Sequence, residues 1–220
     1  QNAFGTHEAN ARQLKSRILD ILIAEDVEKV NLIAHSKGGI EARYMISMLD
    51  MDRQVASLTT IATPHRGAVL TNLIFEQVLK YHLLKPVHHT ARGLARLLGD
   101  EHPDPLNGGL QLTPEYMKDF NRRVKDSPQV YYQSYCGVIS REHPSMVQRI
   151  KYDPLLQRAG IHDGTVSVMS ARWGRFRGIV TSEDGYGVSH FEIIGQTNYS
   201  DFDAGRFYVN LVHDLKQRGF

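Results

Sequence analysis

Apolar residues recur along the chain at two different spacings. Where they recur every three or four residues they predict amphipathic helices, and where they form short unbroken runs they predict strands. Strands separated by helices predict a mostly parallel central sheet flanked by helices, which is the architecture of the α/β class. The predicted helices cover 8–24 (with Thr6 as its cap), 39–49 and 204–217, and the predicted strands cover 30–34, 55–63, 130–136 and 176–181.

The first predicted strand raises a question about what precedes it. Residues 30–34 form an apolar run that suits burial on both faces, which is typical of a strand inside a sheet. With a single helix ahead of it, this strand would lie at an edge and leave backbone groups unpaired. We therefore expect further strands before Gln1, so that the 220 residues lack the N-terminal part of the domain.

Composition and charge set outer limits on the function. Of the 220 residues, 41% are hydrophobic and 23% are charged, which suits one globular domain over 1–220. The formal net charge of +2 gives no reason to expect nucleic acid as a partner. Cys136 is the only cysteine, so no intrachain disulfide can form. No apolar run reaches the roughly 18 residues that a transmembrane segment needs.

A serine stands where the first predicted strand meets the second predicted helix. The stretch Ala34-His35-Ser36-Lys37-Gly38 fits the small-x-Ser-x-Gly pattern of a nucleophile elbow, a sharp turn that exposes the serine. Such a turn strains the serine backbone and needs small residues two positions to either side, here Ala34 and Gly38. The backbone N–H of Lys37 would then face a developing oxyanion at the start of the helix.

A serine nucleophile needs a base and an orienting acid, which in this architecture follow it in the order Ser, Asp, His. Asp163 lies in a His-Asp-Gly turn, and His190 lies in a loop after the last predicted strand. Spacing favours these two residues for the two roles. The rivals that spacing leaves open are Asp184, which fits ordinary turn chemistry, His213, which falls inside the terminal helix, Asp201 and Asp203.

Four stretches of the chain carry a family likeness: VNLIAHSKGG at 30–39, LTTIATPHRG at 58–67, HDGTVS at 162–167 and SHFEIIGQ at 189–196. Through them the sequence resembles the bacterial triacylglycerol lipases of the α/β-hydrolase superfamily, over most of its length. In those lipases the matching positions are nucleophile, acid and base. The resemblance therefore implies a catalytic triad of Ser36, Asp163 and His190, and a Ser-His-Asp acyl-enzyme mechanism that cleaves acylglycerol esters.

The same resemblance leaves alternatives for the substrate and the location. An esterase, polyesterase or phospholipase on the same scaffold is one alternative, and a non-catalytic binding protein with the hydrolase fold is another. A lipase would take a lipid or other ester as its substrate and would contact the lipid–water interface. The family resemblance implies a secreted protein, and a cytoplasmic one is the alternative.

The family's second oxyanion donor comes from a His-Gly loop after an early strand, and nothing before Ser36 matches that loop. Residues 1–22 instead look like the helix that directly precedes the serine strand. The loss of one oxyanion donor costs about 3 to 4 kcal/mol of transition-state stabilisation. From the 220 residues alone we therefore expect weak or no activity.

Some family members bind calcium through an acid two residues after the catalytic histidine and a glutamine six residues after it. The matching residues here are Glu192, in place of the usual aspartate, and Gln196. A third ligand has no clear counterpart, with Glu142 and Asp153 as candidates. Because calcium takes six to eight oxygens, we expect no required cofactor, and calcium at this partial site is the alternative.

The stretch 68–112 has little strand character and predicts a lid or cap insertion. Residues 70–84 predict an amphipathic helix and 91–98 a shorter one. Their apolar faces could cover the serine and meet lipid when the lid opens. The histidines in this stretch have no acid or cysteine at a zinc-binding spacing, so no metal site is predicted there.

Overall fold

The structure is a computed structural model that describes residues 5–71 and 105–220. In this part of the chain four parallel strands form one sheet, whose spatial order follows the chain order. The predicted α/β architecture is therefore confirmed. The strands are β1 Val30–His35, β2 Val55–Ile61, β3 Tyr131–Gly137 and β4 Arg175–Val180. The helices are α1 His7–Ala24, α2 Lys37–Met48, α3 Pro105–Leu110, α4 Pro114–Arg123, α5 Met146–Ala159, α6 Val168–Ala171 and α7 Ala204–Gln217, with a 3₁₀ turn at Glu192–Ile194.

The hydrophobic core lies on both faces of this sheet. Leu58 and Ile61 of β2 are three residues apart, so they point to opposite faces, and both are fully buried. Leu58 belongs to a cluster with apolar residues of α1 and α2. Ile61 belongs to a second cluster, to which α7 contributes Leu211 and Leu215. Helices therefore cover the sheet on both sides, as the pattern of elements predicts.

Where the structure differs from the predicted elements, the reason is local. Helix α2 begins at Lys37 rather than at Gly39, because the turn at Ser36 leads directly into the helix. Helix α5 was not predicted, since the apolar Met146, Val147 and Ile150 lie on its exposed side and Pro154 lies within it. Helix α4 is short and mostly polar, and it starts from the Thr113 cap with a proline in its first turn.

Two predictions concern parts of the fold that the described residues do not test. Strand β1 pairs with β2 and lies at one edge of the described sheet, with Asn31 and Ile33 exposed. Strands before Gln1 that would cover this edge stay a prediction. The predicted lid helices at 70–84 and 91–98 lie almost wholly outside the described residues, and the single domain with a 68–112 insertion also stays a prediction.

The parallel arrangement determines where functional side chains can meet. The carboxyl ends of all four strands lie along the same edge of the sheet, and the loops that follow them are neighbours there. Ser36 directly follows β1, and the loop that carries His190 follows β4. Residues that are 154 positions apart in the chain are thereby brought within contact distance.

Candidate active site

Ser36 occupies a sharp turn between β1 and α2. Its φ of 52° and ψ of −130° place a non-glycine residue in a strained region of backbone space. Hydrogen bonds hold the turn, since the Ser36 N–H donates to the Ile61 carbonyl at 2.9 Å and the Gly39 N–H donates to the Ser36 carbonyl at 3.1 Å. The turn therefore has the backbone geometry that a nucleophile elbow requires.

Gly39 is the residue of this turn that packs closely against the end of β2. A Cβ atom on Gly39 would lie 2.3 Å from Thr63 Oγ1 and 3.0 Å from Thr60 Cγ2. A Cβ atom on Gly38 would meet no described atom within 4 Å. The expectation that Gly38 must be small for strand and helix to fit together is therefore wrong. Gly39 faces the end of β2, and Gly38 does not.

The structure brings the three predicted triad residues into one hydrogen-bonded chain. His190 Nε2 lies 3.0 Å from Ser36 Oγ, and His190 Nδ1 lies 2.8 Å from Asp163 Oδ2. His190 is 3% exposed and Asp163 is 0% exposed. With Nδ1–H donating to the carboxylate, Nε2 is left as the acceptor for the serine proton.

Asp163 is held so that one carboxylate oxygen faces the imidazole. Its Oδ1 accepts hydrogen bonds from the backbone N–H groups of Thr165 at 2.9 Å and Val166 at 2.7 Å. Its own backbone carbonyl accepts the N–H of His190 at 2.9 Å. The carboxylate and the imidazole are thus fixed to each other through both side chain and backbone.

A glycine at the end of β3 makes room for both loops. A Cβ atom on Gly137 would lie 2.2 Å from the Val188 carbonyl oxygen and 3.6 Å from the Asp163 Cβ. The Val188 N–H donates to the Val138 carbonyl at 2.8 Å, so the loop of His190 runs directly against the strand end. Sequence reasoning missed Gly137, because nothing in its local pattern shows which distant backbone approaches it.

His35 is a second histidine at the site, and its role was also missed. Its Nε2 lies 3.0 Å from the His190 backbone carbonyl oxygen, and the two rings lie 4.5 Å apart. Burial, with a further contribution from His190, lowers the pKa of His35 to about 4. Near neutral pH the ring is therefore uncharged and donates from Nε2–H. The sequence signal was its position next to Ser36.

Lys37 has separate roles for its backbone and its side chain. As the first residue of α2, its N–H has no acceptor within the helix and is available at the positive end of the helix dipole. Its ammonium group donates to the Gly5 carbonyl and lies 3.2 Å from Glu41 Oε1. The side chain therefore ties the chain before α1 to α2.

The rival acids and the rival histidine have other partners. Asp184 accepts from the Ser182 hydroxyl and the Tyr186 N–H in an exposed turn, and the Ser182 bond lowers its pKa. His213 is exposed on α7 beside Gln217. Asp203 caps α7, and Asp201 accepts the Glu183 N–H. Of these candidates, Asp163 and His190 are thus the acid and the histidine that hydrogen bonds connect to Ser36.

Glu192, the acid of the partial calcium site, is surrounded by N–H donors of the protein. Glu192 is 2% exposed, and its Oε1 accepts the N–H groups of Tyr199 at 2.9 Å and Ser200 at 2.8 Å. Its Oε2 accepts the Ser189 N–H at 3.0 Å and bonds His143 Nε2 at 2.9 Å. Burial acts to raise the pKa of Glu192, but the hydrogen bonds outweigh it and hold that pKa below its ordinary value.

These contacts do not fit a calcium ion. A carboxylate offers about four lone-pair positions, and N–H donors occupy four around Glu192. Gln196 is exposed, as is Glu142, and Asp153 pairs with Arg141 at 2.5 Å. Over 5–71 and 105–220, no group of three or more His, Cys, Asp or Glu side chains could hold a metal ion.

Helices α1 to α7 all lie within residues 5–71 and 105–220. No helix among them combines the length and the apolar character needed to cross a bilayer.

A strained serine at the carboxyl end of a parallel sheet, with a histidine and a buried aspartate behind it, defines a serine hydrolase of the α/β-hydrolase type.

The PGAP1-like alpha/beta domain family matches residues 9–92. Triacylglycerol lipase 2 of Saccharomyces cerevisiae is 29% identical over 233 aligned residues, which cover 99% of this chain and 67% of the yeast protein. A triacylglycerol lipase of Vibrio cholerae is 26% identical over 250 residues, covering 99% of this chain and 76% of that protein.

Among solved structures, the mature form of the Bacillus licheniformis lipase BlEst2 superposes with a TM-score of 0.64 at 22% identity. The match covers 87% of this chain and 70% of that one, and it supports the fold. These likenesses support a place among the lipases of the α/β-hydrolase superfamily and the role of a lipase-type serine ester hydrolase. The yeast relative shows that the likeness is not confined to bacterial lipases.

Proposed function

We propose that Ser36 is the nucleophile, His190 the general base and Asp163 the orienting acid of an acyl-enzyme mechanism. The observation that carries the proposal is the pair of contacts from His190, 3.0 Å to the Ser36 hydroxyl and 2.8 Å to the Asp163 carboxylate. Geometry of this kind lets one imidazole take the serine proton while the carboxylate stabilises the imidazolium that forms.

In the first half-reaction, Ser36 Oγ attacks the ester carbonyl carbon while His190 Nε2 takes the hydroxyl proton. The carbonyl oxygen becomes an oxyanion, for which we assign the Lys37 N–H as one donor. Collapse of the tetrahedral intermediate breaks the ester C–O bond. His190 gives its proton to the leaving alcohol, and the acyl group remains on Ser36.

In the second half-reaction, water attacks the acyl-enzyme and gives a proton to His190. The carboxylic acid leaves, and the proton returns to Ser36. His35 would stay uncharged in both steps, because its pKa is lowered to about 4. It would therefore place no second positive charge beside the imidazolium form of His190.

For the substrate we propose an acylglycerol. The relatives that align over 99% of this chain bear the name triacylglycerol lipase. Phe191 adds a local argument, because its ring is 47% exposed and lies 5.4 Å from the His190 ring. An exposed apolar ring beside the reacting imidazole suits an acyl chain better than a charged or strongly hydrated substrate.

We propose that the protein acts at a lipid–water interface and that it is exported from the cell. An insoluble acylglycerol can be reached only where lipid meets water, which supports the first point. A rate that rises sharply once the substrate exceeds its solubility would support interfacial contact, and a rate that follows the dissolved concentration alone would contradict it. Fractionation of the native cells would test export.

Replacement of Ser36 by alanine tests the mechanism most directly. In the natural full-length protein we expect Ser36→Ala to lose ester hydrolysis and labelling by an active-site phosphonate, with unchanged circular dichroism. Ser16→Ala, at an exposed serine of α1, is the matched control. Full turnover by Ser36→Ala would refute the mechanism. If the unmutated protein is not labelled, a non-catalytic binding role is favoured, and a chain-length profile separates lipase from esterase.

A further inference from the structure

A reciprocal pair of hydrogen bonds brackets His190. The Ser189 N–H donates to Glu192 Oε2 at 3.0 Å, and the Glu192 N–H donates back to Ser189 Oγ at 3.4 Å. This is a capping box, in which the first and fourth residues of a turn satisfy each other's backbone donors. His190 is the second residue of the box. The backbone on both sides of this imidazole is therefore held by the Ser189–Glu192 pair.

The Glu192 carboxylate is in turn reached from another part of the fold. His143 lies in the loop between β3 and α5, and its Nε2 bonds Glu192 Oε2 at 2.9 Å. The two side chains are 0% and 2% exposed. His143 Nδ1 accepts the Ser145 N–H at 3.2 Å, so the Nε2 atom carries the hydrogen that is donated to Glu192.

The four donors around this carboxylate are not equivalent. Three are backbone N–H groups from residues 189–200, the same segment that contains Glu192. The fourth is the imidazole of His143, which is 49 positions away in the chain. His143 thus provides the donor that ties the His190 turn to the loop after β3. Without it, a buried acceptor would lose a partner and the turn would lose this anchor.

We propose that His143 is a positioning residue for His190, acting through Glu192, and that this pair holds the turn without a metal ion. The proposal rests on the role of His190 in the proposed function. The four N–H donors satisfy the carboxylate that the resemblance offers as one ligand of a partial calcium site. The orientation of the His190 ring toward Ser36 therefore depends on His143, whose side chain contacts neither the substrate nor the triad.

The decisive comparison is between two amide substitutions at this position. The side-chain amide of His143→Gln can reach the place of Nε2, whereas that of His143→Asn is one methylene too short. We expect His143→Asn to lower kcat on a soluble short-chain ester by roughly 10- to 100-fold with little change in KM, because small misplacements of reacting groups are costly. His143→Gln should stay within about threefold of the parent by keeping the hydrogen bond.

A spectroscopic readout separates positioning from simple loss of stability. The Nδ1 proton between His190 and Asp163 should give a low-field NMR resonance in the parent, and this resonance should shift or broaden in His143→Asn and persist in His143→Gln. His213→Asn, at an exposed histidine on α7, is the control and should change neither resonance nor kcat. Equal kcat and equal spectra for the Asn and Gln variants would overturn the proposal.

Two further measurements keep the proposal testable if His143→Asn does not fold. The ring of Tyr199 lies 5.7 Å from the ring of His143 in an edge-to-face contact, so Tyr199→Leu should loosen His143 more gently and lower kcat several-fold. An unchanged kcat in Tyr199→Leu would count against the positioning role of His143. Chelation should leave the rate and the melting temperature of the parent unchanged, whereas a loss restored by calcium would overturn it. A parent without any ester turnover would instead refute the proposed function.

Discussion

His35 Nε2 lies 3.0 Å from the backbone carbonyl oxygen of His190, so the residue before the candidate nucleophile holds the backbone of the candidate base. The contact joins the end of β1 to the loop after β4. It works together with the bond from the His190 N–H to the Asp163 carbonyl at 2.9 Å. Both backbone polar groups of His190 are therefore engaged, and the ring has little freedom to turn away from Ser36.

This relationship predicts that His35 matters for the rate as well as for folding. His35→Leu removes the donor, and we expect kcat to fall by about 10-fold, a loss equivalent to roughly 1.4 kcal/mol. His35→Gln can still donate a hydrogen bond and should retain most of the activity. Steady-state kinetics on a soluble ester, with melting temperatures as a check on folding, would measure this. Equal kcat for both variants would show that the contact has no role in catalysis.

Replacement of Asp163 by asparagine should separate charge from shape. Oδ1 of the new side chain can still accept the N–H groups of Thr165 and Val166. Its amide, however, would meet His190 Nδ1–H with another donor and favour the wrong tautomer. We expect kcat to fall by about 10³- to 10⁴-fold. Asp184→Asn, in an exposed turn, should leave kcat unchanged, and a comparable loss there would contradict the assignment of the acid.

The two glycines after Ser36 should respond differently to alanine. In Gly39→Ala the new Cβ would lie 2.3 Å from Thr63 Oγ1, so we expect a loss of about 1 to 3 kcal/mol in the free energy of unfolding. In Gly38→Ala the methyl group would meet no atom of the described residues within 4 Å, and higher helix propensity should add about 0.5 to 1 kcal/mol. Urea denaturation of both variants would measure this. Equal effects would mean that the turn relaxes around either methyl group.

Much of the fold could be predicted from the sequence, because burial imposes its own spacing on helices and strands. The terminal helix was predicted over 204–217, where the structure has it, and β2 and β4 differ by one or two residues at their ends. Helix α5 was not predicted, because it buries too few side chains to show that spacing. Of its side chains, only Gln148 and Leu155 are buried, so little of the helix bears the usual apolar periodicity.

The site was predictable only where a residue has a local signature. Ser36 stands in a turn motif and Asp163 in a His-Asp-Gly turn, so the sequence pointed to both. Gly137 and His143 have no such signature, because each acts on a segment that is distant in the chain. For the same reason Glu192 was considered as a metal ligand, although its carboxylate accepts four N–H groups. Such partners become visible only once the strand ends have been brought together.

Acid should begin to destabilise the protein below about pH 6.5, which is above the ordinary pKa values of carboxylates. Burial lowers the pKa of His7 to about 4 from 6.5, and it lowers the pKa of His35 equally far. Burial also lowers the pKa of His65 well below 6.5. Between these values the unfolded chain binds protons that the folded chain does not, so the free energy of unfolding falls as the pH falls. Above about pH 6.5 these histidines add no pH dependence.

The test is a series of urea denaturations from neutral pH down to about pH 4, in the parent and in His7→Gln. One histidine that stays neutral in the folded state contributes a slope of up to about 1.4 kcal/mol per pH unit. His7→Gln should be less stable at neutral pH, yet its stability should fall less steeply with acid by up to that amount. His213→Gln, at an exposed position, is the control and should keep the parent slope. If His7→Gln also keeps it, the buried ring is not the group whose protonation drives acid unfolding, and His35 and His65 would be tested next.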